Sequence, residues 1–160
     1  MTMKAFGLAL GFAMLLPAVA TAECASVKAG DLTISKAWSR ATIGTQRPAV
    51  FYVEIRNDGD ADDRLIGIET PAAGMPMLHQ TVIQDGVSTM PHVEAVDVPA
   101  GATVSLSPGG YHGMLMELTT TLSEGQSFPV TLTFEQAGPV EIDTQVLSIR
   151  AQEAQCDAAN

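Results

Sequence analysis

Residues 78–90 read Leu-His-Gln-Thr-Val-Ile-Gln-Asp-Gly-Val-Ser-Thr-Met, and their reading decides the fold. Two β-prone runs, Leu78–Ile83 and Val87–Met90, flank Asp85-Gly86. Asp-Gly is the pair that a two-residue hairpin turn selects, because both of its central positions sit at positive φ. With that turn, Gln84 pairs with Val87, Thr81 falls opposite Met90, and His79 falls opposite His92. Side chains alternate along a strand, so positions 79, 81, 83, 88, 90 and 92 share one face. The same pattern continues outward from Gly30, with Ala49–Arg56 and Arg64–Glu69 before the hairpin and His92–Val98, Tyr111–Leu118, Phe128–Glu135 and Val140–Ile149 after it. Turn residues separate these runs: Asn57-Asp58-Gly59-Asp60, a loop with Pro71, Gly74 and Pro76, then Pro108-Gly109-Gly110 and Ala137-Gly138-Pro139. Eight or nine strands are expected, with no long helical period. The chain reads as all-β, a Greek-key β-sandwich or barrel.

The N-terminus is of a different kind. Lys4 precedes an apolar run, Ala5–Ala20, and Ala20-Thr21-Ala22 offers a small-residue cleavage site. Residues 1–22 therefore read as a cleaved signal peptide, too short to span a membrane. Residues 23–160 read as a single β domain with a short C-terminal tail, as expected for a chain of 160 residues. Cleavage removes one Lys and no acid, leaving 7 basic and 18 acidic side chains and a net charge of −11. Nucleic-acid binding needs the opposite balance. Export through a signal peptide implies an oxidising compartment, the periplasm, and gives the two cysteines a structural meaning. A Cys24–Cys156 disulfide would tie the two ends of the domain together and pin a tail that otherwise frays. Lipid attachment is disfavoured, since Glu23 separates Cys24 from the cleavage site.

Catalytic patterns are lacking. The sequence has no Gly-x-Ser-x-Gly elbow and no glycine-rich phosphate loop ahead of a helix, and its Asp58–Asp63 carboxylates read as a solvated turn. Binding is expected here, and enzymatic chemistry is not. The informative residues are His79, His92 and His112 with Met75, Met77, Met90, Met114 and Met116, all of which fall between positions 75 and 116. The hairpin makes His79 and Met90 diagonal neighbours, and His112 and Met114 share a face of a later strand. Thioether sulfur is soft and imidazole borderline, a pair that suits Cu(I) better than zinc, magnesium or calcium. A blue-copper site would add a Cys thiolate, and both Cys lie at the ends of the mature chain. Met77 and Met116 are expected to fill core, the ordinary role of a lone methionine in a strand. Only the imidazoles must lose protons to bind, so affinity is expected to weaken below about pH 6.

His79, Met90, His112 and Met114 stand at the spacing His-x10-Met-x21-His-x-Met. That spacing resembles the motif of the periplasmic copper chaperone family PCu(A)C. The neighbouring stretches Ala37–Thr42, Asp63-Arg64-Leu65, Asp85-Gly86-Val87 and Pro108–His112 resemble it too, over residues 30–148. The resemblance implies a cupredoxin-like barrel that binds Cu(I) through those four residues. It also implies delivery to the dinuclear centre of the copper-bearing subunit of cytochrome c oxidase, directly or with a Sco-type copper protein. Some members carry a His- and Met-rich C-terminal extension, whereas nothing after Met116 here is His or Met. His92, opposite His79 in the hairpin, stays open as an auxiliary ligand. Two other readings compete: a metal-free secreted interaction module, and an enzyme of the copper/zinc superoxide dismutase kind, for which three His are too few.

Overall fold

In a computed structural model, residues 24–156 are described, and the signal peptide expected over 1–22 lies outside them. Twelve strands follow one another: β1 Ser26–Ala29, β2 Leu32–Arg40, β3 Ala49–Asn57, β4 Asp63–Glu69, β5 Ala73–Gln80, β6 Val82–Gln84, β7 Val87–Thr89, β8 Val96–Val98, β9 Thr103–Leu106, β10 Tyr111–Leu118, β11 Ser127–Phe134 and β12 Gly138–Leu147. Ten of them form one sheet in the order β5-β10-β3-β2-β12-β11-β4-β8, with β1 on β2 and β9 on β3; β6 and β7 form a separate hairpin. All pairs are antiparallel except β2 with β12. The sheet curls into a half-barrel, with β4 lying beside β5. Its inner face is lined by Ile34, Phe51, Ile55, Leu65, Leu115, Leu132, Phe134 and Ile142, each no more than 2% exposed. Strict alternation produces this lining: along β11 every second residue, Phe128, Val130, Leu132 and Phe134, is buried.

Four expectations change. Among the described residues the strand count is twelve, because β1 lies before Gly30 and short pieces at the rim pair separately. The expected loop with Gly74 and Pro76 is part of β5. Proline is tolerated there because β5 is an edge strand, whose ladder partner at Pro76 is β10 and whose other side is bridged only farther on, at Leu78–Gln80. The expected strand His92–Val98 shrinks to β8, while His92 makes a single bridge to His79. One member of the Asp58–Asp63 turn is also not solvated. Asp63 is buried and accepts backbone N–H bonds from Arg64, Gln136 and Ala137 at 2.7–3.0 Å.

A bulge in β2 supplies a second packing surface. The β2–β3 register shifts between Ser35 and Trp38, and Lys36 has φ 54°. One extra residue reverses which parity faces inward, so Ala37 joins the core while Trp38 turns to the outer face. There Trp38 packs on Tyr52, ring centroids 4.5 Å apart, with Leu147 and Ala151. The segment after β12 thus lies on the outside of the sheet and carries Cys156, bonded to Cys24 with their Cα atoms 5.2 Å apart.

Candidate metal centre

The β5–β10 ladder brings the histidines and methionines together. Leu78, Gly113 and Leu115 face the core, so the alternate positions of both strands face outward. The outward residues meet as three cross-strand pairs: His79 with His112, Met77 with Met114, and Met75 with Met116. Directly opposed Cβ atoms lie about 4.5–5.5 Å apart. Met77 and Met116 are therefore not core, contrary to expectation: both are half-buried on the outer face, and Met75 is 40% exposed.

Beyond Gln80 the chain turns into the β6–β7 hairpin. Gln84 pairs with Val87, Ile83 with Ser88 and Val82 with Thr89, and the same register returns at the His79–His92 bridge. Asp85 and Gly86 carry φ 52° and 77°, as a turn with two left-handed residues requires. Pro91 does not end the ladder, because its carbonyl accepts from the Gln80 N–H at 3.1 Å. The Thr81 N–H turns aside to the Gly110 carbonyl at 3.0 Å. Met90, 53% exposed, sits at this irregularity, and its carbonyl is 2.8 Å from His79 Nδ1.

All three imidazoles are oriented in the same way. His79 Nδ1 contacts the Met90 carbonyl, His92 Nδ1 the Leu78 carbonyl at 2.9 Å, and His112 Nδ1 the Gly110 carbonyl at 3.1 Å. A carbonyl oxygen only accepts, so each Nδ1 carries the proton and each neutral ring leaves its lone pair on Nε2. Such backbone anchoring is how metal-binding histidines are commonly held. His79 Nε2 is buried without a hydrogen-bond partner. The His79 ring lies 6.0 Å from that of His112 and 5.9 Å from that of His92.

Met90, His112 and Met114 line one pocket of about 340 Å³ with Tyr52, Arg40 and Gln152. These last three were not anticipated as part of the site. Tyr52 and Arg40 reach it through the β2 bulge and the β2–β3 pairing, and Gln152 arrives on the tail. Arg40 Nε donates to the Ala151 carbonyl at 2.7 Å and its guanidinium lies over the Trp38 and Tyr52 rings. Burial pushes the Tyr52 phenol above its ordinary pKa while Arg40 pulls it down. The wall thus presents a neutral phenol and a cation, and offers no carboxylate ligand. Among the described residues, no three His, Cys, Asp or Glu side chains form a group able to hold a metal ion.

Comparison with known proteins gives three results. A family model described as "Putative lipoprotein LpqE-like" matches residues 32–146. The chain is similar to "Putative lipoprotein Lxx21020" of Leifsonia xyli subsp. xyli, 36% identical over 141 residues that cover 86% of this chain and 82% of that protein. Among solved structures it is similar to the copper-bound PCuAC domain from PmoF2, with 27% identity, TM-score 0.67, and 78% of this chain and 98% of that one covered. It is also similar to the solution structure of CuI-DR1885 from Deinococcus radiodurans, with 29% identity, TM-score 0.58, and coverage of 70% and 75%. The curled all-β architecture is the cupredoxin-like fold of those PCuAC domains.

Proposed function

The chain belongs to the LpqE-like family, and from that premise we propose that it is a copper chaperone, holding Cu(I) on His79, Met90, His112 and Met114 and giving it up by ligand exchange. The observation that carries this reading is the buried, unpartnered Nε2 of His79, on a ring paired across the ladder with His112. A polar atom withdrawn from water without a partner is costly, and a metal ion supplies the missing partner. The two thioethers nearby select a soft ion. Similarity to the copper-bound PmoF2 domain and to CuI-DR1885 supports the same cargo.

Nothing in this reading makes or breaks covalent bonds. All four ligands are neutral, so an incoming thiolate or imidazole displaces them one at a time without charge separation inside the protein. His92 stands ready on the far side of His79 as an auxiliary ligand. The proposed acceptor is the dinuclear copper centre of cytochrome c oxidase, reached directly or through a Sco-type copper protein, and the proposed compartment is the periplasm.

The test is Cu(I) affinity of the mature protein against a chromophoric Cu(I) chelator at fixed pH. A His112→Ala, Met114→Ala variant is expected to lose about 100-fold or more, since removing mere outer-shell partners already costs 10–100-fold. Unchanged affinity in the variant would sink the site assignment, whereas no Cu(I) binding by the wild type would return the protein to the metal-free interaction module.

A further inference from the structure

The four proposed ligands leave three methionines unused on the same surface. Met75 and Met116 form one cross-strand pair, and Met77 lies two residues from Met75 and diagonal to Met116. Their Cβ atoms therefore lie within about 5–8 Å of one another. Each has an unbranched side chain with a mobile thioether. Their strands' core positions are taken by Ala73, Leu78, Leu115 and Leu118, and the three methionines lie on the other face, Met75 exposed and Met77 and Met116 half-buried. A solvated strand face is ordinarily filled by polar or β-branched residues, and three thioethers grouped at adjoining ladder positions call for a different reason.

We infer that Met75, Met77 and Met116 form a second ion site, an all-thioether site for a soft monovalent ion, Cu(I) or Ag(I). Three neutral sulfurs attract ions of that class and leave zinc, calcium, magnesium and Cu(II) in water. The site uses neither imidazole nor Met90 and adds to the chaperone reading without resting on it. Because Met77 is paired with Met114, the two sites adjoin along one ladder.

The experiment counts Ag(I) and Cu(I) equivalents retained by the mature protein in native mass spectrometry, with the methionine ε-methyl resonances followed by NMR during an Ag(I) titration. Wild type is expected to retain two equivalents and to shift the methyls of Met75, Met77 and Met116. A Met75→Leu, Met77→Leu, Met116→Leu variant keeps side-chain volume and is expected to retain one. A His79→Ala, His112→Ala variant is expected to keep the equivalent that shifts those three methyls. One equivalent in wild type with the three methyls unmoved overturns the inference, and so does a His79→Ala, His112→Ala variant in which those methyls no longer respond. The wild-type NMR result stands even if the triple variant fails to fold.

Discussion

Gly113 lies between His112 and Met114 and faces the core. A Cβ there would stand 2.7 Å from Ile68 Cδ1 and 3.1 Å from Phe51 Cβ. Core side chains, Ile68 from β4 and Phe51 from β3, fill the space a Cβ would need, and no unusual φ is involved. Gly113→Ala is expected to cost about 1–3 kcal/mol, the usual penalty of overpacking, read as a lower denaturation midpoint at unchanged m-value. At this scale the sequence yields the spacing of His79, Met90, His112 and Met114, but it misleads on Met77 and Met116. A methionine carries no polarity signal that tells inside from outside. Its face follows from strand parity, and parity was hidden where Gly74 and Pro76 read as a loop. Arg40 and Tyr52 were illegible for a similar reason, since the β2 bulge that turns Trp38 outward leaves no mark in composition.

The β6–β7 hairpin is the element whose local chemistry was most legible. Asp85-Gly86 sets its register, and the same register places His92 against His79. Nothing in residues 82–90 is buried, with Ile83 73% and Val87 61% exposed, so the hairpin contributes little to global stability. Gly86 sits at φ 77°, where a β-branched side chain costs about 1–2 kcal/mol. Gly86→Val is expected to open the hairpin and lower Cu(I) affinity about tenfold, equivalent to 1.4 kcal/mol, through Met90. The thermal midpoint should hardly move. Chelator competition beside a melting curve separates the two, and an unaltered affinity would mean that Met90 is placed without the turn. The boundary of β5 was less legible, because a proline inside a strand is acceptable only at an edge, and edges are a property of the assembled sheet.

At the scale of the molecule, alternation predicts an all-β fold but not how the layers close. Inward positions of a sandwich and of a curled half-barrel share the same period, so the order β5-β10-β3-β2-β12-β11-β4-β8 and the parallel β2–β12 pair are set by contacts distant in sequence. The bond between Cys24 and Cys156 spans 132 positions, and closing so long a loop stabilises a fold by up to roughly 5 kcal/mol in the chain-entropy picture. It also changes what the polymer is. Joined at 24 and 156, the chain between them is a covalent ring, and opening a ring once leaves one molecule. An acid-specific protease cutting after Asp85 in the exposed hairpin is expected to give a species of full mass under non-reducing conditions and two pieces only after reduction. The first piece would carry β5 with His79, and the second would carry β10 with His112 and Met114. Two pieces without reduction would show that the ring was never closed.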